Sequence, residues 1–166
     1  KPGDLHVAAL TTESGYLAAA IGHEVHTYAM EPNALTFRRP WDCGFVASCL
    51  ASKGSTLVVG DAMHSLTVLT VAEDGSLSES ARDLHPYWTS AVCVLDTEQQ
   101  QYLGTDVAMN LFVAERAKST EPESPWSHVM RHAAACHFGD LVNAMHTLPG
   151  GGVMYATASG ALGTLV

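Results

Sequence analysis

The sequence has few basic residues, and this scarcity bears first on nucleic acids. Its 166 residues include 8 Lys and Arg against 17 Asp and Glu, which leaves a net charge of −9. Proteins that hold nucleic acids by the phosphates need clustered Lys and Arg to replace the counterions. The densest basic cluster is the pair Arg38-Arg39. We therefore expect no direct binding of nucleic acid by this segment.

Long hydrophobic runs are also missing. No apolar stretch approaches the roughly 18 residues that a bilayer-spanning helix needs. The first residues, Lys1-Pro2-Gly3-Asp4, lack the apolar core of a secretory signal. The sequence therefore predicts neither a membrane partner nor secretion.

The sequence has only four cysteines, and none of them are spaced as a metal-binding or redox pair. Cys43, Cys49, Cys93 and Cys136 form no Cys-x-x-Cys pair, and three of them lie in apolar runs typical of strands. Reduced Cys behaves there as a small core residue. We expect no disulfide and a reducing compartment, the nucleus and cytoplasm.

Catalytic and metal-binding patterns are equally hard to find. No Gly-x-Ser-x-Gly elbow occurs. His132 and His137 are separated by an odd number of positions on a predicted strand, which sends their side chains to opposite faces. The even-spaced set His128, His132 and Cys136 would extend about 13 Å between successive members along a strand, too far for one ion. The sequence thus predicts no metal, no cofactor and no enzyme activity.

Three aspartates follow or lie near glycines: Asp61, Asp106 and Asp140. Paired carboxylates can serve acid–base catalysis. Asp and Gly are also the residues that tight turns favour, since Asp bonds to the local backbone and Gly adopts positive φ. Because the aspartates recur at similar places in a repeat, we interpret them as turn residues.

What the sequence has in abundance is short clusters of Val, Thr, Leu and Gly, which favour strands and tight turns. One pattern of apolar strand, turn, shorter strand, turn and third strand occurs four times. The predicted first strands begin at Leu5, Phe45, Trp88 and Leu141, and the third strand of the third repeat begins at Met109. The small residues that close the second strand are Gly22, Gly60, Gly104 and Ala156, at spacings of 38, 44 and 52. The polar loop Lys118 to Pro125 accounts for part of the lengthening.

A four-stranded unit recurring every 40–50 residues or so is the signature of a β-propeller blade. A β-sandwich has strands at a similar density but does not readily explain the recurrence. We predict an all-β propeller segment of antiparallel blades at about 1–42, 43–87, 88–140 and 141–166, the last one incomplete. A wheel typically has seven blades, so we expect this segment to be part of a larger propeller.

Five stretches resemble one family closely: 60–65 (GDAMHS), 81–92 (ARDLHPYWTSAV), 109–113 (MNLFV), 137–143 (HFGDLVN) and 155–163 (YATASGALG). They are similar to the family of the large subunit of the damage-specific DNA-binding protein. Its superfamily includes the large subunit of the cleavage and polyadenylation factor and a splicing factor 3b subunit. The resemblance covers nearly the whole chain and corresponds to part of the third propeller of a full-length member.

The resemblance implies a scaffold that serves DNA repair as the adaptor of a cullin-4 RING ubiquitin ligase. Cullin-4 would dock on a propeller absent from this chain, and WD40-type substrate receptors would insert a helical segment into a cleft walled in part by this one. The cleft-lining positions carried over are Val46, Ser48, Ala62, His64, Arg82, Trp88, Met109, Leu141, Asn143 and Ala144.

Three of these positions depart from the family. His64 stands where Arg is more usual, Ser48 where Leu is, and Leu141 where Phe is. The resemblance therefore implies a smaller and less basic cleft wall. The alternative function is an RNA-processing scaffold of the splicing or polyadenylation branch, which the motifs at 110–113 and 137–143 disfavour.

Overall fold

A computed structural model of the protein describes residues 7–13, 15–120 and 128–166. Every regular element in these ranges is a β-strand. None of the described segments forms a helix long and apolar enough to cross a membrane. The predicted start of the first strand at Leu5 and most of the polar loop 118–125 lie outside the described residues.

The strands fall into four consecutive groups. The first is β1 (Val7–Glu13), β2 (Tyr16–Ile21), β3 (Glu24–Glu31) and β4 (Ala34–Asp42). The second is β5 (Ala47–Lys53), β6 (Thr56–Asp61), β7 (Leu66–Val71) and β8 (Leu77–Arg82). The third is β9 (Thr89–Asp96), β10 (Gln101–Asp106), β11 (Asn110–Lys118) and β12 (His128–His137). The fourth is β13 (Val142–Thr147), β14 (Val153–Thr157) and β15 (Leu162–Leu165).

Each group is an antiparallel meander in which a strand pairs with the next one along the chain, and we call each meander a blade. The second and third blades touch at their outer strands, where Val129 of β12 bridges Arg82 of β8 in parallel. This bridge joins the two blades into one eight-stranded sheet with β5 and β9 at its two ends.

The first strands of the second and third blades lie side by side and run in the same direction. Near their starts, the Ser48 hydroxyl donates to the Thr89 carbonyl over 2.6 Å. Near their ends, the Lys53 ammonium reaches the Leu95 carbonyl at 3.4 Å. Bonds at both ends of β5 and β9 therefore align the two strands.

The fourth blade continues this arrangement. Thr105, at the end of β10, approaches the carbonyl of Val142 at the start of β13, at 3.5 Å. At the other end of β13, the Thr147 hydroxyl donates to the Val94 carbonyl of β9 over 2.8 Å. First strands packed side by side, with successive blades fanning outward, are the arrangement of a β-propeller, and the predicted fold class is confirmed.

The hydrophobic core lies between neighbouring blades. On β6, Val58 faces the third blade, where it joins a cluster that includes Phe112. Leu57 and Val59 face the first blade and pack with Val25. Because both faces of the central blades are covered, their strands are apolar at successive positions rather than at alternate ones.

Gly104 shows how closely these strands are packed. A Cβ at this position would lie 2.4 Å from Cζ of Phe112, a fully buried ring in the core of the third blade. Gly60 is similarly enclosed, since its Cβ would lie 2.4 Å from the Cys49 sulfur. Two of the small residues that close the second strands are therefore small because a side chain from a neighbouring strand occupies the space.

Several strands begin later than the sequence predicts. Strand β5 was predicted from Phe45 and begins at Ala47, and β9 was predicted from Trp88 and begins at Thr89. Strand β11 begins at Asn110 because Met109 has a φ of 64°, which no strand ladder accommodates. Phe45, Trp88 and Met109 therefore lie in the connections before these strands, where their side chains are exposed.

Candidate protein-binding site

The two ends of the blades differ in chemistry. Because β5, β9 and β13 run in the same direction, the connections that lead into them lie at one end, together with the turns between second and third strands. We call this end the apolar rim and define it by the segments 44–46, 62–64, 84–88, 107–109, 139–141 and 158–160.

One backbone hydrogen bond holds each pair of rim segments together. The Ala62 amide donates to the Val46 carbonyl over 3.1 Å, and the Val107 amide donates to the Trp88 carbonyl over 3.0 Å. The Ala158 amide donates to the Leu141 carbonyl over 2.8 Å in the fourth blade. Val46, Trp88 and Leu141 therefore occupy equivalent positions in successive blades.

The side chains on this rim are mostly hydrophobic and exposed. Between residues 43 and 140, outside 121–127, the exposed large hydrophobic side chains all lie in its segments: Phe45, Val46, Met63, Leu84, Trp88, Val107 and Met109. Trp88 has 55% of its surface accessible. A folded protein rarely exposes contiguous apolar side chains without a partner for them.

The opposite end of the second and third blades is polar. Its connections are Gly54-Ser55, residues 72–76 and residues 97–100. The exposed residues there include Glu73, Asp74 and Glu98. Asp74 accepts hydrogen bonds from the hydroxyl and the amide of Ser76, and these bonds lower the pKa of its carboxyl group. Within the described residues of the second and third blades, the exposed large hydrophobic side chains thus lie at one end.

Asp61 and Asp106, which end β6 and β10 just before the rim turns, are hydrogen-bonded to those turns. Asp61 accepts bonds from the amides of Met63 and His64, each over 2.5 Å. Asp106 accepts the Asn110 amide over 2.9 Å. These bonds support the interpretation of Asp61 and Asp106 as turn residues rather than catalytic carboxylates.

Asp140 follows the same pattern in the fourth blade. It accepts the Leu141 amide over 2.8 Å, and the Ser159 hydroxyl also donates to its carboxylate. The Ser159 hydroxyl is the main cause of a lowered pKa for this carboxyl group. The charge of Asp140 fixes two rim segments to each other.

Most of the sequence-predicted site residues lie on the apolar rim. Val46, Trp88 and Met109 are exposed there, while Ala62, His64 and Leu141 are half-buried in the same segments. Met109 holds a left-handed backbone, with φ of 64°, that non-glycine residues rarely adopt, and such strain is frequent in functional segments.

The remaining predicted residues lie elsewhere. Ser48 is half-buried between blades, bonded to Thr89 as described above. Arg82 donates to both carboxylate oxygens of Glu79 and lies over the ring of Trp41, 5.9 Å from its centroid. Both side chains are occupied within the protein.

Two further predicted residues belong to β13. Asn143 and Ala144 are exposed near the start of this strand, just after the rim segment 139–141.

Sequence reasoning missed Phe45, Met63 and Val107, which share the rim's exposed apolar surface. The signal was present in the repeat, because Val107 follows Asp106 as Ala62 follows Asp61. It was not used because apolar residues beside strands are more often assigned to the core than to the surface.

Comparison with known proteins gives the chain its family. The family model described as "CPSF A subunit region" matches residues 1–166. DNA damage-binding protein 1 of Drosophila melanogaster is 33% identical over 93% of this chain. The proteins of the same name in Solanum lycopersicum and Arabidopsis thaliana (1a) are 31% and 32% identical over 82% of it. The chain spans only 13–15% of the length of these relatives. The family expected from the sequence motifs is thereby confirmed: the chain belongs to the CPSF A subunit region family and is similar to its DNA damage-binding protein 1 members.

Proposed function

We propose that the apolar rim is a docking site for another protein and that the chain acts as part of a non-enzymatic adaptor. The observation that carries this proposal is that, in the second and third blades, the exposed large hydrophobic side chains of the described residues gather at one end. Burying such side chains against a partner removes apolar surface from water, which is the main favourable contribution to most protein association.

Trp88 is the proposed anchor of this site. It is a large aromatic side chain exposed in the middle of the described rim, with Val46 and Leu141 in the equivalent positions of the flanking blades. Interface residues that contribute most to affinity are enriched in Trp and lie near the centre of the contact. The rim also offers few charges, which suits an apolar face of a helix better than a charged peptide.

The similarity to DNA damage-binding proteins supports a more specific form of the proposal. In that form, the longer protein is a cullin-4 RING ubiquitin ligase adaptor in DNA repair. A WD40-type substrate receptor inserts a helical segment against this rim, while cullin-4 docks outside the chain. The proposed site of action is the nucleus and cytoplasm.

The second candidate is a scaffold for RNA processing, which the name of the matched family region favours. The two candidates differ in their partners. Affinity purification of the full-length protein recovers cullin-4 and substrate receptors under the first, and splicing or polyadenylation factors under the second.

Substitution of Trp88 tests the docking site. In the full-length protein, Trp88→Ala should weaken receptor binding at least about thirty-fold, since a central Trp commonly contributes about 2 kcal/mol or more. The matched control is Phe37→Ala, because Phe37 is an aromatic residue of similar exposure, 48%, on the outer strand β4. Binding is measured by titration calorimetry.

Retention of cullin-4 by the Trp88→Ala protein shows that the rest of the adaptor remains intact. If this variant is folded and binds receptors with the affinity of the Phe37→Ala control, the rim is not the docking site.

A further inference from the structure

Three polar side chains converge at the outer edge between the second and third blades. Asp83 follows β8, His85 lies two residues further on, and His132 belongs to β12. One oxygen of the Asp83 carboxylate lies 2.7 Å from Nδ1 of His85, and the other lies 2.6 Å from Nε2 of His132. Each residue offers one potential metal-ligand atom, and these three atoms all lie within 4.8 Å of one another. From this convergence we propose that Asp83, His85 and His132 form a zinc-binding site that fastens the two blades together.

The charge of this cluster favours a cation. Asp83 is fully buried, with 0% of its side chain accessible. The Asp83 carboxylate accepts the His85 amide and lies at hydrogen-bond distance from both imidazoles, yet the cluster still carries one net negative charge when both imidazoles are neutral. The neighbouring basic side chains are engaged elsewhere, since Arg82 pairs with Glu79 and Arg131 pairs with Glu115. A divalent ion would compensate the Asp83 carboxylate directly.

Aromatic packing holds the His132 ligand in place. The imidazole of His132 stacks on Phe112 with an interplanar angle of 7° and ring centroids 4.8 Å apart. Phe112 is itself fully buried in the core. The ring of His85 lies 5.7 Å from that of Tyr87, also stacked. A rigid surrounding of this kind lowers the reorganisation that metal binding requires.

The donor set indicates the class of metal. Two imidazole nitrogens and one carboxylate suit zinc and other borderline transition ions, whereas Mg²⁺ and Ca²⁺ prefer oxygen alone. Three protein ligands leave one tetrahedral position for water. His85 provides the access, because half of its side chain, 50%, is exposed.

Binding requires a small change in geometry and a shift of protons. Zinc–ligand bonds of about 2.0–2.1 Å place neighbouring donors roughly 3.3 Å apart in a tetrahedron. The present 2.6 and 2.7 Å separations are hydrogen-bond lengths, so both imidazole nitrogens must draw back from the Asp83 oxygens, each by less than about 1 Å. Each imidazole then moves its proton to the other ring nitrogen, or releases it to water if it was charged, and its lone pair binds the ion.

Zinc at this position would strengthen the limited pairing between the outer strands of the second and third blades. The two outer strands share one parallel bridge, between Val129 and Arg82, and both residues are close in sequence to zinc ligands. An ion held by Asp83, His85 and His132 would link β12 to the connection that leads into β9. The proposed role of the ion is to hold the two blades together, and its occupancy should raise the melting temperature of the protein.

The experiment compares zinc binding by the full-length protein, three variants of the proposed ligands and one control variant, after treatment with a chelator. Zn²⁺ is titrated by calorimetry, and Co²⁺ is used as a visible-absorption probe of tetrahedral coordination. Asp83→Asn and His132→Gln should each lower zinc affinity at least about 100-fold, the upper range for loss of a supporting group beyond the ligands. The matched control is His146→Gln, because His146 is an exposed histidine on β13.

His85→Gln is the decisive variant if burial of Asp83 or His132 makes their substitutions unfold the protein, because its half-exposed ring supports little of the core. The proposal predicts that His85→Gln lowers zinc affinity, abolishes the visible Co²⁺ band and removes the zinc-dependent rise in melting temperature. If His85→Gln and His146→Gln bind zinc within threefold of the unsubstituted protein, the three residues form only a hydrogen-bonded bridge and the proposal is wrong.

Discussion

Burial sets the chemistry of individual thiols in this protein. The Cys49 thiol is enclosed between β5, β6 and Thr89, and this burial raises its pKa to about 12, against a smaller opposing effect of the Ser48 hydroxyl. Burial likewise raises the pKa of Cys93 to about 11, and burial also raises the pKa of Cys43. Cys136 is exposed on β12.

We predict that an alkylating reagent at about pH 8 modifies Cys136 far faster than Cys43, Cys49 and Cys93 in the folded full-length protein. The thiolate is the reactive form, and the three other thiols are both shielded and held neutral. Peptide mass spectrometry after timed labelling measures the four rates, and labelling in denaturant is the control. Rapid modification of Cys49 in the folded protein would contradict the described packing.

The same thiols make folding sensitive to alkali. A thiol in the unfolded chain ionises near pH 8.5, whereas Cys49 and Cys93 remain neutral in the folded state up to about pH 12 and 11. The unfolded state therefore releases protons first as pH rises. Stability is retained below about pH 8.5 and declines from there through the folded-state pKa values.

Between the strands, single hydroxyl groups link one blade to the next. Ser48 of β5 bonds to the Thr89 carbonyl of β9, and Thr147 of β13 bonds to the Val94 carbonyl of β9. Removing the Ser48 hydroxyl leaves the Thr89 carbonyl without this donor, at a cost of about 1 kcal/mol.

We predict that Ser48→Ala makes the amides of β5 and β9 exchange hydrogen about fivefold faster in the full-length protein, the effect of roughly 1 kcal/mol on local opening. Receptor affinity should stay unchanged, because Ser48 faces the neighbouring blade rather than the partner. Hydrogen-exchange mass spectrometry measures the change, and Ser55→Ala, in an exposed connection, is the control. A loss of receptor affinity in Ser48→Ala without faster exchange would place Ser48 in the docking surface.

How far the sequence predicts each element depends on how regular that element is. The repeat of small residues such as Gly60 and Gly104 at the ends of second strands predicts the blades. At both positions a side chain from a neighbouring strand occupies the space that a larger residue would need. Strand starts were less accurate, since Phe45 and Trp88 are hydrophobic enough to read as strand residues although they lie in rim connections.

The cluster around Asp83 was not predictable from strand periodicity. The odd spacing of His132 and His137 was interpreted within one strand, whereas the contacts of His132 come from a different blade. In addition, β12 has a register shift beside His132, opposite Val113 and Ala114, which interrupts the alternation of faces. Only the meeting of outer strands brings Asp83 and His132 together.

The chain as a whole has few basic groups, 8 Lys and Arg in 166 residues, so we expect it to contribute little to the binding of phosphates. The pair Arg38-Arg39 lies on the outer strand β4, far from any other basic cluster in the sequence. A phosphate contact by each would contribute about 0.9 to the slope of log affinity against log salt.

We predict that replacing both Arg38 and Arg39 by Ala leaves the DNA affinity of the full-length protein and its salt slope unchanged, because we expect this region to contact no phosphate. Fluorescence polarisation with labelled duplex DNA at several salt concentrations measures both quantities. A slope reduced by about 1 to 2 would show that β4 holds phosphates after all.

The contrast between the two ends of the blades also makes the protein an amphiphile. Exposed Trp88, Met63 and Val107 lie at one end, and Glu73, Asp74 and Glu98 lie at the other. At an air–water boundary, the hydrophobic effect draws the first end toward the air while hydration retains the second. In a thin film of vitrified buffer, particles lacking a bound partner should therefore adsorb with a preferred orientation, and a partner covering the Trp88 end should restore a wider distribution of views.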